Sequence, residues 1–163
     1  MNNYTREQVA LWLESVSDPE IPVMTIKDMG ILRDFELIDD ESVKVIITPT
    51  YSGCPAMDLI SMNIRMAMLG HGFKNIEIVS QLDPAWTTDW ITPEGLIKMK
   101  NFGIAPPIRK SNTSKGLFEE DEVPCVRCGS HHTELISQYG ATSCKSMYRC
   151  LDCKEPFEHF KCH

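Results

Sequence analysis

Three absences narrow what this chain can be before any motif is considered. No apolar run approaches the roughly 20 residues that a membrane-crossing helix needs, and Met1-Asn2-Asn3-Tyr4, followed by Thr5, Arg6 and Glu7, lacks the apolar core of a secretory leader. The expectation is a cytoplasmic protein that does not engage a membrane, with its seven cysteines reduced and open to metals or chemistry. A basic excess is also missing: 16 Lys and Arg stand against 23 Asp and Glu, for a net charge of −7. Residues 1–122 hold 11 basic against 19 acidic side chains, and residues 123–163 hold five against four. An acidic body repels phosphate backbones, so a nucleic-acid partner is not expected. Finally, the chain has neither helical Glu-x-x-His pairs nor a Gly-rich nucleotide or flavin loop, which excludes a di-iron oxygenase centre and a dinucleotide site.

What is present reads as α+β. Thr5, Glu7 and Gln8 ahead of Val9, Leu11, Trp12, Leu13 and Val16 open a capped helix of three turns that stops by Asp18-Pro19. Turn chemistry follows through Pro22 and Asp28-Met29-Gly30, and Ile31 to Leu37 alternates as a strand. Asp39-Asp40-Glu41 closes a hairpin into a second strand, with Val43, Val45 and Ile47 on one face and Lys44, Ile46 and Thr48 on the other. Met57, Ile60, Ile64, Ala67 and Met68 recur at helical spacing, so the expected helix has one apolar stripe and a wet remainder. Gly70-His71-Gly72 ends it, and Ile76, Ile78 and Leu82, with Val79 opposite, form a third strand. A loop containing Trp86 and Trp90 leads to Thr92-Pro93-Glu94, which opens a last helix over Leu96, Ile97, Met99 and Lys100. Helix-strand-strand-helix-strand-helix is a small α/β layer sandwich.

The candidate of most interest in that domain is Cys54. It sits in Gly53-Cys54-Pro55 between a strand and a helix, and Pro55 suits the first helical position, which makes Cys54 the expected N-cap. There a thiol faces the positive end of the helix dipole, favouring thiolate and hence a reactive or metal-binding role; the alternative is a small buried apolar residue. Met57 stands where a thioredoxin-like loop has its second cysteine, and Ile60 where a phosphatase loop has its arginine, so neither chemistry is encoded. Asp18, Glu20 and Asp28 could pair as carboxylates, but Asp before Pro is ordinary turn chemistry. Trp86 and Trp90 read equally as core or as a docking surface for a client or a second copy of the chain.

Gly103 to Pro107, Ser111 to Gly116 and Glu119 to Glu122 break every period, which places a linker over residues 106–122 between a domain at 1–105 and another at 123–163. Beyond it, Cys125-x-x-Cys128 and Cys150-x-x-Cys153 are separated by 21 residues, the spacing of a four-thiolate structural zinc site. Thr133 to Tyr139 and Ser146 to Arg149 have strand character, so a C-terminal zinc ribbon is expected. A tail of this length cannot build a sufficient core alone, and metal must stabilise it. Cys144, Cys162, His131, His132, His159 and His163 exceed four ligands; the two cysteines read either as core thiols or as a second, transient metal or cluster site.

Through Asp18-Pro19-Glu20-x-Pro22, Asp28-Met29-Gly30 and Thr50-x-x-Gly53-Cys54-Pro55, the first domain resembles the iron–sulfur cluster assembly (metal-sulfur cluster biosynthetic) family with a single reactive cysteine. The segments Asp83 to Thr92, Gly103 to Pro107, Cys144 to Cys150 and Glu155-Pro156-Phe157 make nearly the whole chain similar to the PaaD family, the proteins encoded with phenylacetyl-CoA epoxidase in phenylacetate degradation. That resemblance implies that Cys54 handles sulfur, iron or a transient iron–sulfur cluster. It also implies an accessory rather than a catalytic role, with epoxidase components as partners, above all the iron–sulfur flavoprotein reductase. A structural component of the epoxidase complex is the alternative.

Overall fold

A computed structural model describes residues 4–108 and 122–163. Most of the expected linker, residues 109–121, lies outside the described residues. The chain forms two compact units that divide between Gly95 and Leu96.

In the first unit, helix α1 (Arg6–Glu14) starts on a capping box: the Gln8 N–H donates to Thr5 Oγ1 at 3.3 Å, and the Thr5 N–H donates to Gln8 Oε1 at 3.0 Å. Strand β1 (Leu32–Asp39) pairs antiparallel with β2 (Ser42–Ile47), turning where Asp39 Oδ1 accepts the Glu41 N–H at 2.8 Å. Strand β3 (Asn75–Ser80) lies parallel to β2, so the sheet runs β1-β2-β3 and the parallel pair is bridged by α2 (Ala56–Gly70). The third strand ends before Leu82, which is exposed. Val43, Val45 and Ile47 are buried on one face of β2, and Ile60, Ile64 and Met68 are fully buried on the inner stripe of α2, as their period requires. The outer side of α2 is less wet than its pattern suggests, because Leu59, Met62, Met66 and Leu69 remain exposed there.

Between α1 and β1 the chain contributes core without regular structure. Val16, Ile21, Met24, Ile26, Met29 and Ile31 are all buried. Two of the three carboxylates of this stretch, Asp18 and Asp28, serve its turns. Asp18 Oδ1 accepts the N–H groups of Glu20 and Ile21, each at 2.8 Å, and Asp28 Oδ2 accepts that of Thr25 at 3.0 Å. This is the turn role of an Asx side chain.

Trp86 belongs to this core. It is 5% exposed and its Nε1–H donates to the Met29 carbonyl at 2.8 Å, so the docking reading does not hold for it. Trp90 is half-buried, with the Arg33 guanidinium 3.7 Å from its ring centroid. Its backbone fixes Gly30: at φ +69°, a Cβ on Gly30 would lie 2.6 Å from both the Cβ and the carbonyl oxygen of Trp90. Gly30→Ala therefore combines left-handed strain with a backbone clash and should cost about 2 kcal/mol or more. Calorimetry should show a clear fall in melting temperature, and an unchanged midpoint would disprove the tight approach.

Helix α3 (Pro93–Phe102) carries the chain across the division, opening with the Gly95 N–H donating to Thr92 Oγ1 at 3.0 Å. The second unit holds a four-stranded sheet in the order β4-β7-β6-β5, from β4 (Ile104–Ala105), β5 (Thr133–Ser137), β6 (Lys145–Cys150) and β7 (Pro156–Phe160). Here the expected domain boundary differs from the observed organisation. The sequence pattern closes the first domain at residue 105, but Ile104 and Ala105 are buried and pair parallel with Glu158 and His159 of β7. Two small apolar residues just after a helix find their hydrogen-bond partners in the ribbon, and the ribbon sheet gains a strand from before the linker.

The ribbon core consists of Ala105, Val123, Cys125, Tyr148, Cys150 and Phe157. Away from it, buried Lys145 reaches Glu158 at 2.8 Å. Burial pushes the Glu158 carboxyl up, but Lys145 and the Ala141 N–H outweigh it and hold the group below the usual range. Among the described residues no helix is long and apolar enough to cross a membrane.

Candidate functional site

In the first unit, Cys54 stands where β2 has ended and α2 is about to begin. Gly53, at φ +78°, turns the backbone, the Cys54 N–H donates to the Tyr51 carbonyl at 3.2 Å, and the Cys54 carbonyl accepts the Met57 N–H at 3.2 Å. The helix opens one residue later than the sequence suggests. Pro55 takes the cap position with helical angles (φ −67°, ψ −21°) and no side-chain cap, so the Cys54 thiol does not serve as the cap group. The first bond at this corner, from the Met57 N–H to the Cys54 carbonyl, closes a tighter three-residue turn, and the regular helix starts only at Ala56. The residue is 8% exposed. A cysteine held by its own backbone at the head of a helix, close to the surface yet largely covered, can act on a partner that reaches this turn. No second cysteine lies in that unit.

The second unit contains the denser chemistry. Cys125, Cys128, Cys150 and Cys153 place their sulfurs within 4.8 Å of one another, with Cys125 Sγ 3.7 Å from Cys153 Sγ and Cys128 Sγ 3.5 Å from Cys150 Sγ. Four sulfurs about 2.3 Å from one tetrahedral ion would be about 3.8 Å apart, so the donor set fits zinc in both chemistry and spacing. Among the described residues this is the one group of three or more such ligands that converges. Cys144, buried with its sulfur 3.0 Å from Thr142 Oγ1, and Cys162, exposed, do not join a second cluster, so the core reading fits Cys144.

Each Cys-x-x-Cys pair forms the same knuckle. The Arg127 N–H approaches Cys125 Sγ at 3.4 Å and the Cys153 N–H approaches Cys150 Sγ at 3.5 Å. Each knuckle leaves through a left-handed residue directly after its second cysteine: Gly129 at φ +75° and Lys154 at φ +66°. The glycine is legible in the sequence; the lysine is not, since a non-glycine residue adopts that conformation only when its surroundings enforce it. Cys150 and Cys153 are driven in opposite directions. The Cys153 N–H, as the largest influence, brings Cys150 down to about 7. The Glu155 N–H pulls Cys153 down, but desolvation and the neighbouring sulfurs of Cys150, Cys128 and Cys125 push it up to about 12. Crowded sulfurs resist ionising together, and a divalent cation relieves that repulsion.

Polar side chains join the two knuckles. The Ser130 hydroxyl donates to Asp152 Oδ2, His132 Nδ1 lies 3.1 Å from Asp152 Oδ1, and the His132 N–H donates to Ser130 Oγ at 3.0 Å. Ser130 first and His132 second hold the Asp152 carboxyl below the usual range. Arg127 meets Glu155 at 3.3 Å, also from one knuckle to the other. The sequence does not mark Ser130, His132 and Asp152 as a functional set, because no motif links residues about 20 apart through their side chains.

Comparison with known proteins assigns these two sites to recognised modules. Residues 6–78 match the family model "Iron-sulfur cluster assembly protein", and residues 109–161 match "PaaD zinc beta ribbon domain". The chain is 47% identical over 150 residues to a protein of Escherichia coli (strain K12) provisionally named as part of 1,2-phenylacetyl-CoA epoxidase, an alignment covering 92% of this chain and 88% of that protein. It is 33% identical over 103 residues to the Fe-S protein maturation auxiliary factor of Porphyromonas gingivalis, covering 61% of this chain and 97% of that factor. In fold it is similar to the crystal structure of a domain of unknown function, DUF59, from Bacillus anthracis, with a TM-score of 0.53 at 21% identity, over 57% of this chain and 89% of that one.

Proposed function

This chain belongs to the PaaD family of 1,2-phenylacetyl-CoA epoxidase components, with an iron–sulfur cluster assembly domain ahead of a PaaD zinc ribbon, and we propose that it is an accessory factor that matures the iron–sulfur component of a ring-epoxidising monooxygenase. The client is the reductase of that system, and the group that passes is sulfur, iron or an assembled cluster, handled at Cys54. Iron and sulfide are here the cargo, while zinc in the ribbon is structural and cross-links the two knuckles. The observation that carries this reading is the setting of Cys54: a single thiol on a strand–turn–helix corner, within the segment that matches the cluster assembly model. Functional side chains gather at such corners, where a rigid strand and helix present a single residue to a partner.

The test is anaerobic transfer. The protein, loaded with iron and sulfide, is mixed with the apo reductase, and the reductase is separated and assayed for its cluster absorption and electron transfer. Cluster appearing in the reductase faster than from free iron and sulfide is the expected result. Equal rates would leave no role in delivery.

A second reading is a structural component of the epoxidase complex without chemistry of its own. It is favoured by the low exposure of Cys54, at 8%.

A further inference from the structure

Ser130, His132 and Asp152 are unaccounted for by either function, and their placement is specific. Asp152 lies inside the second Cys-x-x-Cys loop, between Cys150 and Cys153, while Ser130 and His132 follow the first loop directly. One carboxylate oxygen takes the Ser130 hydroxyl and the other faces His132 Nδ1 at 3.1 Å. The backbone makes the same connection, the Leu151 N–H donating to the His132 carbonyl at 2.8 Å, while the Cys125 N–H, donating to the Ser130 carbonyl at 2.9 Å, closes the first loop on itself. The side chains therefore tie the second ligand loop to the segment that leaves the first.

We infer that Asp152 is the positioning residue of the four-cysteine centre: by holding Ser130 and His132 it locks the second knuckle against the first and keeps the sulfurs at metal distance in the folded ribbon. The physical basis is the coupling of metal binding to folding: the two Cys-x-x-Cys loops must be ordered each time the ion binds, and the ordering cost weakens retention. A carboxylate that holds two partners across the loops offsets part of that cost in the metal-bound fold, and outer-shell groups of this kind typically alter metal affinity about 10- to 100-fold. The inference is independent of what Cys54 does.

The experiment uses the full chain loaded with one equivalent of zinc, and measures retention by competition against a chromophoric chelator; a cobalt-substituted sample is followed by its sulfur-to-metal charge-transfer band. Asp152→Asn keeps the shape but replaces one acceptor oxygen with a donor NH2, and should weaken retention about 10- to 100-fold. Asp152→Glu, which keeps a carboxylate able to hold both partners, should recover most of the loss. Glu158→Gln is the control, because it breaks the buried contact to Lys145 elsewhere in the same sheet. It should lower the melting temperature of the ribbon, weaken retention less than Asp152→Asn does, and leave the cobalt charge-transfer band unchanged, because it acts away from the ligand loops. Wild-type retention in Asp152→Asn overturns the inference, as does an equal loss in Glu158→Gln, which would make the effect one of general stability. Should Asp152→Asn fail to fold, Ser130→Ala removes a single arm. It should give a smaller but measurable loss, and wild-type retention there overturns the inference equally.

Discussion

Cys54→Ser should abolish maturation of the client while leaving the fold in place. The backbone bonds that set this corner, Cys54 N–H to Tyr51 and Met57 N–H to the Cys54 carbonyl, do not involve the side chain, and Gly53 supplies the turn in either variant. The hydroxyl is close to the thiol in size. At 8% exposure the cost is that of covering one small polar group, on the order of 1–3 kcal/mol, and the protein should remain folded by circular dichroism with a modestly lower melting temperature. A serine hydroxyl does not ionise near neutrality and does not bind iron or accept sulfur as a thiolate does, so the loss of function should be complete. Cells that depend on this protein for growth on phenylacetate should stop growing, and their epoxidase reductase should accumulate with depleted iron and sulfide. Normal growth with a fully loaded reductase would instead establish the structural reading and turn attention to the ribbon. Cys54→Ala guards against an effect of the buried hydroxyl and should behave in the same way.

Removing zinc should unfold the ribbon. Purified protein is expected to hold about one zinc per chain. The core around the site is small, and two of its six members, Cys125 and Cys150, belong to the four-cysteine cluster itself. Without the ion the remaining apolar contacts cannot offset the entropy of ordering the strands, whereas zinc supplies about 10–16 kcal/mol in comparable small modules. Chelation should therefore abolish amide protection in β5, β6 and β7, and restored zinc should return it. Cys150→Ser and Cys125→Ser should be more damaging than Cys128→Ser or Cys153→Ser, because the first two thiols are buried and the second two exposed. Protection that survives chelation would show that the sheet stands on its own packing. Cys144→Ser should leave the zinc content unchanged, since its sulfur lies outside the cluster.

The elements and the metal site were legible in the sequence because both follow short-range rules. The Thr5–Gln8 cap, the period of two in β2, the stripe Ile60, Ile64 and Met68, and the two Cys-x-x-Cys pairs each express constraints acting within a few residues. Even the corner that carries Cys54 is such a feature, displaced by one residue because a tight turn from Cys54 to Met57 precedes the regular helix. Tertiary structure decided which distant group covers each pattern. Trp86 is core because the Met29 carbonyl, 57 positions away, receives its N–H. Ile104 and Ala105 serve the ribbon because β7 offers them an edge, although they precede the linker. Asp152 reaches Ser130 because the chain folds one knuckle onto the other. A periodic pattern records that one face of a segment leaves water, and it carries no information on what meets that face. Hydrogen-bond partners far apart in the chain are chosen by packing, and so the pairing of Ile104 and Ala105 with β7, the burial of Trp86 and the Ser130–Asp152 link emerged only when the chain was folded.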